Sequence, residues 1–504
     1  PPIGLSWVKG VFDPSETFKD KCEQPRTGFD LLGTSFPDEQ GTTFEEKLWL
    51  RSWTDETYLW NTEVEDVDPE DFNSVLNYFA VLKTNVVEES GRLRDRFHFS
   101  RDTAALLADR FSVASAGYGV SFWRDSGTAP RNWRVIYTEE GSPAAETVGG
   151  QTQMPRGALL LEVDGVDFVN ANTLQEVEAI NAALFPESAG EVHSFLIQEF
   201  GDSTPRLVTM TSDNVSESVV NRTKIIPTSS GNVGYILLNT FGAFASEKEI
   251  AAAMTEMKTN NVQDLVLDLR YNGGGLVVAA SQTAYMIAGP TRTAGKVFDR
   301  AIINSNPRNP NAGEDPELEF IDTGLNLSLP SSTDLDDLDL GRVFILTTGN
   351  TCSASELVIN SLRGIDVEVI LIGGRPCGKP YSFRGTDNCG RTYFTVQFAA
   401  SNHVGFGDYA NGFMPNNATD SFGVRIPGCS VPDDFSYDLG DENEALLDAA
   451  LTYRDTLSCP SVPSASSISA FASQSPFNGS GTGLNASNFV GSFETRGVTI
   501  GDPQ

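Results

Sequence analysis

Three loops in the second half of the chain carry residues suited to acyl transfer. Ser353, in Thr351-Cys352-Ser353-Ala354-Ser355-Glu356, follows the strand-like run RVFILTT (342–348) and opens the helical run SASELVINSLRG (353–364). A hydroxyl there points at the carboxyl edge of a sheet. The Ala354 N–H is a first-turn donor with no intrahelical acceptor, and the helix dipole favours negative charge beside it. Nucleophile and oxyanion donor thus fall on adjacent residues. The same residues also read as a plain helix start, with Ser353 or Ser355 at the N-cap and Glu356 closing a capping box. The second loop, Tyr271-Asn272-Gly273-Gly274-Gly275, follows DLVLDLR (264–270). Its glycines allow positive φ and leave N–H groups exposed to an anion, although alone they are also a tight strand-to-helix turn. The pattern G-x-x-x-x-G-K-[ST] is missing, so this is not a phosphate loop. The third loop, Arg375-Pro376-Cys377-Gly378-Lys379, follows VEVILIGG (367–374). A lone loop lysine is ordinarily a solvated charge. Buried beside Ser353, its amine loses pKa units and can take a proton.

The elements around these loops decide whether they meet. From about Val219 to Tyr453, uncharged runs such as NVGYILLNTF (232–241) alternate with amphipathic ones, and Ser246 to Glu249 reads as a capping box opening a helix to about Lys258. That alternation predicts a mostly parallel sheet covered on both faces, with its ligand site beyond the carboxyl ends of the strands. The runs 342–348, 353–364 and 367–374 form one right-handed βαβ unit, so Ser353 and Lys379 leave the same edge of neighbouring strands. Residues 291–340 are a Pro/Asn/Asp-rich insertion. Upstream, GYGVSF, WRVIYT, ALLLEVDG and HSFLIQEF predict short strands, with Asp164-Gly165 as a turn. FEEKLWLRSW and FNSVLNYFAVLK carry apolar residues at helical spacing.

The expected organisation is multidomain α+β. It comprises an irregular arm (1–42), a helical N-terminal domain (43–110), a small β domain (111–215), an α/β core (216–457) and a Ser/Gly-rich tail (458–504).

Lys plus Arg number 35 and Asp plus Glu 68, a net charge of −33. Such a surface repels phosphate backbones and anionic lipid, which argues against nucleic-acid and membrane-surface partners. No run reaches the ~18 apolar residues of a membrane span. Pro1-Pro2-Ile3 has neither a basic nor an apolar leader region, so the protein is expected to be cytosolic or to have lost a signal segment. The six cysteines have no zinc spacing. Cys377 with Cys389, and Cys429 with Cys459, bracket short segments in the manner of staples, although sequence alone does not choose among the pairings. They favour disulfides in an exported protein, and sequons such as Asn214-Val-Ser and Asn417-Ala-Thr are permissive of that.

Taken in order, DLVLDLRYNGGG, then Ser353-Ala-Ser-Glu356, then Gly378-Lys379, resemble the C-terminal processing (tail-specific) peptidases. The Ser-to-Lys separation, 379 − 353 = 26 residues, is close to that family's. GYGVSF, GSPAAE and RGALLLEVDGVDF resemble a PDZ domain inserted ahead of the core. EKLWLRSWTDETYLW with DRFHF resembles the helical leader of bacterial, lipoprotein-like members. The resemblance implies a Ser/Lys serine peptidase on a ClpP/crotonase-like core, with Ser353 as nucleophile and Lys379 as general base. The Ala354 N–H and a glycine N–H, Gly275 or Gly274, would form the oxyanion hole. Gly117, Tyr118, Gly119 and Val120 would receive a substrate's C-terminal carboxylate by strand addition. The implied partners are proteins or peptides with free C-termini, no metal or organic cofactor is implied, and the location is periplasmic or extracellular, including an outer-membrane lipoprotein. The alternatives are a PDZ-bearing pseudo-peptidase that holds C-termini uncut and a binder of hydrophobic small molecules on the same core.

One position departs from the family pattern. Many members place an orienting Gln four residues after the Lys, where this chain has Phe383, so Tyr381, Ser382 or a backbone carbonyl would have to orient Lys379. A related branch uses a histidine base carried in roughly the region of His98. His193 and His403 read as ordinary residues, Cys352 as a small buried or disulfide-bonded residue, and Asp268 and Arg270 as a structural ion pair.

Overall fold

The computed structural model describes residues 5–314 and 316–460. The predicted Ser/Gly-rich tail from residue 461 onward lies outside the described residues.

The N-terminal part is less helical than its apolar spacing predicts. Helices form at α1 (Thr43–Thr57), α2 (Val75–Phe79) and α3 (Thr103–Arg110), and the stretches between are turns and short 3-10 segments. Aromatic packing sets these boundaries: Trp49 stacks on Trp53 at 5.3 Å, and Phe79 meets Tyr393 of the core at 4.9 Å. Strand β1 (Phe99–Asp102) pairs antiparallel with Arg391–Phe394, which ties this region to the core. The arm, expected to be irregular, contains the paired strands Lys21–Cys22 and Glu39–Gln40 and is pinned by the Cys22–Cys389 disulfide.

The next region is an antiparallel sheet in the order β6 (Arg206–Thr211), β5 (Val192–Gln198), β4 (Leu159–Val163), β3 (Trp133–Thr138) and β2 (Val120–Arg124). Four of these five strands match runs read from the sequence; β6, RLVTMT, was not among them. Helix α4 (Leu174–Leu184), opened by a Thr173–Glu176 capping box, buries Val177, Ile180 and Leu184 against it.

The core sheet has the order β7 (Val220–Thr228), β8 (Gly231–Leu238), β9 (Val262–Asp268), β10 (Arg342–Thr347), β11 (Glu368–Gly373) and a short strand Gly428–Cys429. Every pair after β7–β8 is parallel. Helices α5 (Ser246–Thr259), α6 (Val277–Ala288) and α7 (Ala354–Arg363) supply the largest apolar cluster on one face, and α8 (Ala445–Thr456) packs on the other. Strand β9 reads as an apolar run because both faces are covered. The expected capping box at Ser246 does not form. Ala245 is the N-cap, and the Glu249 carboxylate instead accepts the N–H groups of Val219 and Val220 at 2.9 and 3.0 Å. Tertiary donors outcompete the local one.

The cysteines pair as Cys22–Cys389, Cys352–Cys377 and Cys429–Cys459. The last matches the sequence spacing, whereas Cys377 and Cys389 do not join each other. Cys377 leaves β11 beside the start of α7, and Cys389 sits at a hairpin turn facing the arm. Three disulfides suit an oxidising, extracytoplasmic compartment. No helix among the described residues is long and apolar enough to cross a membrane.

Candidate active site

Parallel pairing brings the three chemical loops to one edge. Asp268 lies beside Leu346 in the ladder and Thr347 beside Gly373, so the segments after β9, β10 and β11 leave the sheet together. They then bond to one another. The Cys352 N–H donates to the Asn272 carbonyl at 3.1 Å, the Cys377 N–H to the Thr351 carbonyl at 2.9 Å, and the Ser355 hydroxyl to the Asn272 carbonyl at 3.0 Å.

Ser353 is the half-buried N-cap of α7 and forms a capping box with Glu356, as the local pattern suggests. A cap normally has extended backbone, but Ser353 has φ +57° and ψ −115°. Non-glycine residues in such regions persist only when their surroundings hold them, and they cluster at reactive sites. The glycine loop is part of what holds it. A Cβ on Gly274 would lie 2.8 Å from both the Cys352 carbonyl oxygen and the Ser353 Cβ, so only glycine lets the loop approach this closely. The Gly274 N–H is engaged by the Asn272 Oδ1 at 2.9 Å. Gly275 is exposed. Neither its N–H nor that of Ala354 has an acceptor among the described residues.

Lys379 is only 6% exposed. Burial pushes its amine down to about 7, partly opposed by the carboxylates of Asp95 and Glu356. The Nζ sits 3.7 Å from the centre of the Phe383 ring and 5.2 Å from that of Phe97. Among the described residues no oxygen accepts a hydrogen bond from it, so neither Tyr381 nor Ser382 orients it and the Ser353 hydroxyl is not bonded to it. The aromatic ring at the position of the usual Gln meets the amine directly.

Glu356 proves to be more than a cap. Its fully buried carboxylate accepts the N–H groups of Ser353 (3.2 Å), Gly378 (3.0 Å) and Lys379 (2.8 Å). One side chain thereby holds the backbones of both Ser353 and Lys379, and the Cys352–Cys377 disulfide ties the same two loops covalently. Burial pushes Glu356 up to about 7, while these three donors pull it down. The capping-box spacing was visible in the sequence; the partners on the far loop had no local signal. Cys352, Glu356 and Cys377 are also close enough to suggest metal ligands, but both sulfurs are consumed by the disulfide.

His98 is buried, with its ring nitrogens against the Thr395 hydroxyl (3.1 Å) and the Phe79 carbonyl (2.9 Å), and burial pushes it down to about 4. His193 bonds Asp164, and His403 accepts the Val297 N–H. Asp268 and Arg270 are wholly buried in a network with Glu444, Asp433 and Tyr235, the structural role expected of them.

Gly117, Tyr118, Gly119 and Val120 all line a cavity of about 400 Å³. Its walls include Phe122, Leu184, Phe195 and Met210, and β2 is the edge strand beside it. The Tyr118 hydroxyl donates to the Ala183 carbonyl at 3.0 Å, which ties this loop to α4.

Residues 232–394 match the profile described as peptidase family S41. Over 393 residues the chain is 25% identical to the carboxyl-terminal-processing peptidase 1, chloroplastic, of Arabidopsis thaliana, spanning 75% of this chain and 71% of that one. Over 421 residues it is 24% identical to a carboxyl-terminal-processing protease of Synechocystis, spanning 80% and 87%. A Bacteroides fragilis crystal structure assigned to the S41 proteases superposes with a TM-score of 0.59 at 23% identity, covering 81% of this chain and 97% of that one. That last likeness is one of fold.

Proposed function

We propose that the chain is a serine peptidase of the S41 kind its residues 232–394 match, an endopeptidase acting on protein C-terminal tails through a Ser353/Lys379 dyad. The observation that carries the reading is the shared grip of Glu356 on the two loops, with a buried, largely apolar setting for the Lys379 amine.

In this reading the neutral Lys379 Nζ takes the proton from the Ser353 Oγ as the oxygen attacks a peptide carbonyl. The new C–O bond places negative charge on the former carbonyl oxygen, where the Ala354 and Gly275 N–H groups supply donors. Gly274 shapes the loop, since its own N–H is taken by Asn272. The C–N bond breaks, the leaving amine receives the proton from Lys379, and water hydrolyses the ester. The Gly117–Val120 loop and the open edge of β2 suit a peptide added as a further strand, its last side chain in the apolar cavity. The disulfides favour a periplasmic or extracellular setting, with lipid anchorage as one form of it. Phe383 favours a second reading, a PDZ-bearing pseudo-peptidase, because it gives the Lys379 amine no acceptor.

Incubation with an unstructured polypeptide separates the two. The expected result is cleavage by the wild type, none by Ser353→Ala, and no effect of a chelator. Tight peptide binding without cleavage by either protein would establish the second reading instead.

A further inference from the structure

The segment Asp95-Arg96-Phe97-His98-Phe99 lies some 280 residues upstream of Lys379, yet it forms one wall of the lysine's pocket. The buried Arg96 guanidinium donates to the carbonyls of Cys377 (3.0 Å) and Gly378 (3.2 Å), and at the limit of bonding distance to Ala410 (3.5 Å). Arg92 adds a bond to the Cys377 carbonyl at 3.3 Å. Phe97 presents its ring to the Lys379 amine, and Phe99 packs against Phe383 with ring centres 5.7 Å apart.

On the opposite side, Glu356 holds the N–H groups of Gly378 and Lys379. The peptide units around Gly378 are therefore gripped from both directions, a cation on their carbonyls and an anion on their N–H groups. The grip is tight. Gly378 has φ +82°, and a Cβ there would lie 2.4 Å from the Ala410 carbonyl oxygen.

We propose that Arg96 is a positioning residue for the general base, holding the Cys377–Lys379 loop so that the amine stays dry beside the Ser353 turn. The inference rests on Lys379 acting as that base. Among the described residues no side chain orients the amine through a hydrogen bond, so its place is set by its backbone and by the aromatic rings. Arg96 supplies the backbone half of that task, from outside the region that matches the family profile. The charged and titratable groups facing this corner are Asp95 and Glu356 toward Lys379, and Arg92, Glu356, Tyr381 and Asp95 toward Arg96.

The test uses the full chain with Arg96→Met, which removes the carbonyl bonds but keeps apolar bulk, and Arg96→Lys, which keeps a cation. The readouts are cleavage of an unstructured polypeptide from pH 5.5 to 9 and the rate at which a fluorophosphonate labels Ser353, with a denaturant melt to verify folding. Displacing a catalytic group by about 1 Å can cost on the order of 100-fold, so Arg96→Met should lower kcat by about that factor with KM nearly unchanged. Its acid limb should move to higher pH as water reaches the amine, and Arg96→Lys should recover part of both effects. A folded Arg96→Met with wild-type kcat and an unmoved acid limb overturns the proposal. Should Arg96→Met fail to fold, a folded Arg96→Lys with wild-type kcat and acid limb overturns it equally. Ser353→Ala runs in parallel. If labelling survives that change, the dyad itself is wrong; if labelling is lost there while the Arg96 variants match wild type, only the role of Arg96 falls.

Discussion

Lys379→Met should give a protein that has lost most of its peptidase activity and is harder to unfold. A general base contributes roughly 10²–10⁴-fold, so kcat/KM should fall by about that amount. The stability gain comes from the same burial that makes the amine useful. Its folded-state pKa is lowered from 10.5 to about 7, so the native state binds this proton more weakly than the unfolded chain does. Full stability is therefore present above pH 10.5 and is lost as pH falls toward 7. At neutral pH the penalty approaches ~4 kcal/mol, an upper bound from ~1.4 kcal/mol per pKa unit. Methionine fills much the same space without it. Denaturant midpoints at pH 7 and initial rates across pH check both halves. In the wild type, activity should rise with pH through about 7 and then level off, because only the neutral amine accepts the serine proton. A folded Lys379→Met that cleaves at the wild-type rate would remove the lysine from the chemistry.

The sequence made the sheet legible because its strands are buried on both faces. DLVLDLR, RVFILTT and VEVILIGG became β9, β10 and β11 within one or two residues. Their parallel order is what brings Ser353, the glycine loop and Lys379 to one edge, and it followed from strands alternating with helices. The failures occurred where a distant partner decided a local matter. Ser246 lost its predicted capping role when Glu249 was recruited by the chain at 219–220. Cys377 looked like a partner for Cys389, but the Ser353 turn lies nearer in space than the hairpin does in sequence. The helical spacing around FNSVLNYFAVLK yielded only five helical residues, because aromatic contacts with the core fix the surrounding turns. Arg96 stood out only as part of DRFHF, and nothing local pointed to its contacts, since its acceptors are backbone carbonyls contributed by a remote loop.

Glu356 offers the sharpest test of how that loop is held. Glu356→Ala leaves two buried N–H groups, on Gly378 and Lys379, and a part-buried one on Ser353, without an acceptor. At about 1–3 kcal/mol for each unsatisfied donor, the loss rivals the whole stability of a typical domain. Glu356→Gln keeps one acceptor oxygen, enough for the Ser353 and Lys379 N–H groups that share Oε2 but not for that of Gly378 on Oε1, and should fold with a smaller loss. It also removes two pH effects whose signs can be worked out. The wild-type carboxyl is raised from 4.5 to about 7, so its contribution to stability is fully present below pH 4.5 and lost as pH rises through 7. In the Gln variant that decline, up to ~3 kcal/mol at ~1.4 kcal/mol per unit, should be missing. The ionised carboxylate also pulls the Lys379 pKa upward. With the charge gone, the acid limb of activity should move to lower pH, opposite to the shift expected of Arg96→Met. Loosening the loop and neutralising its anchor thus leave different marks on one profile. If both variants shifted the limb the same way, or neither moved it, the two-sided grip would be packing alone, with no control over the base.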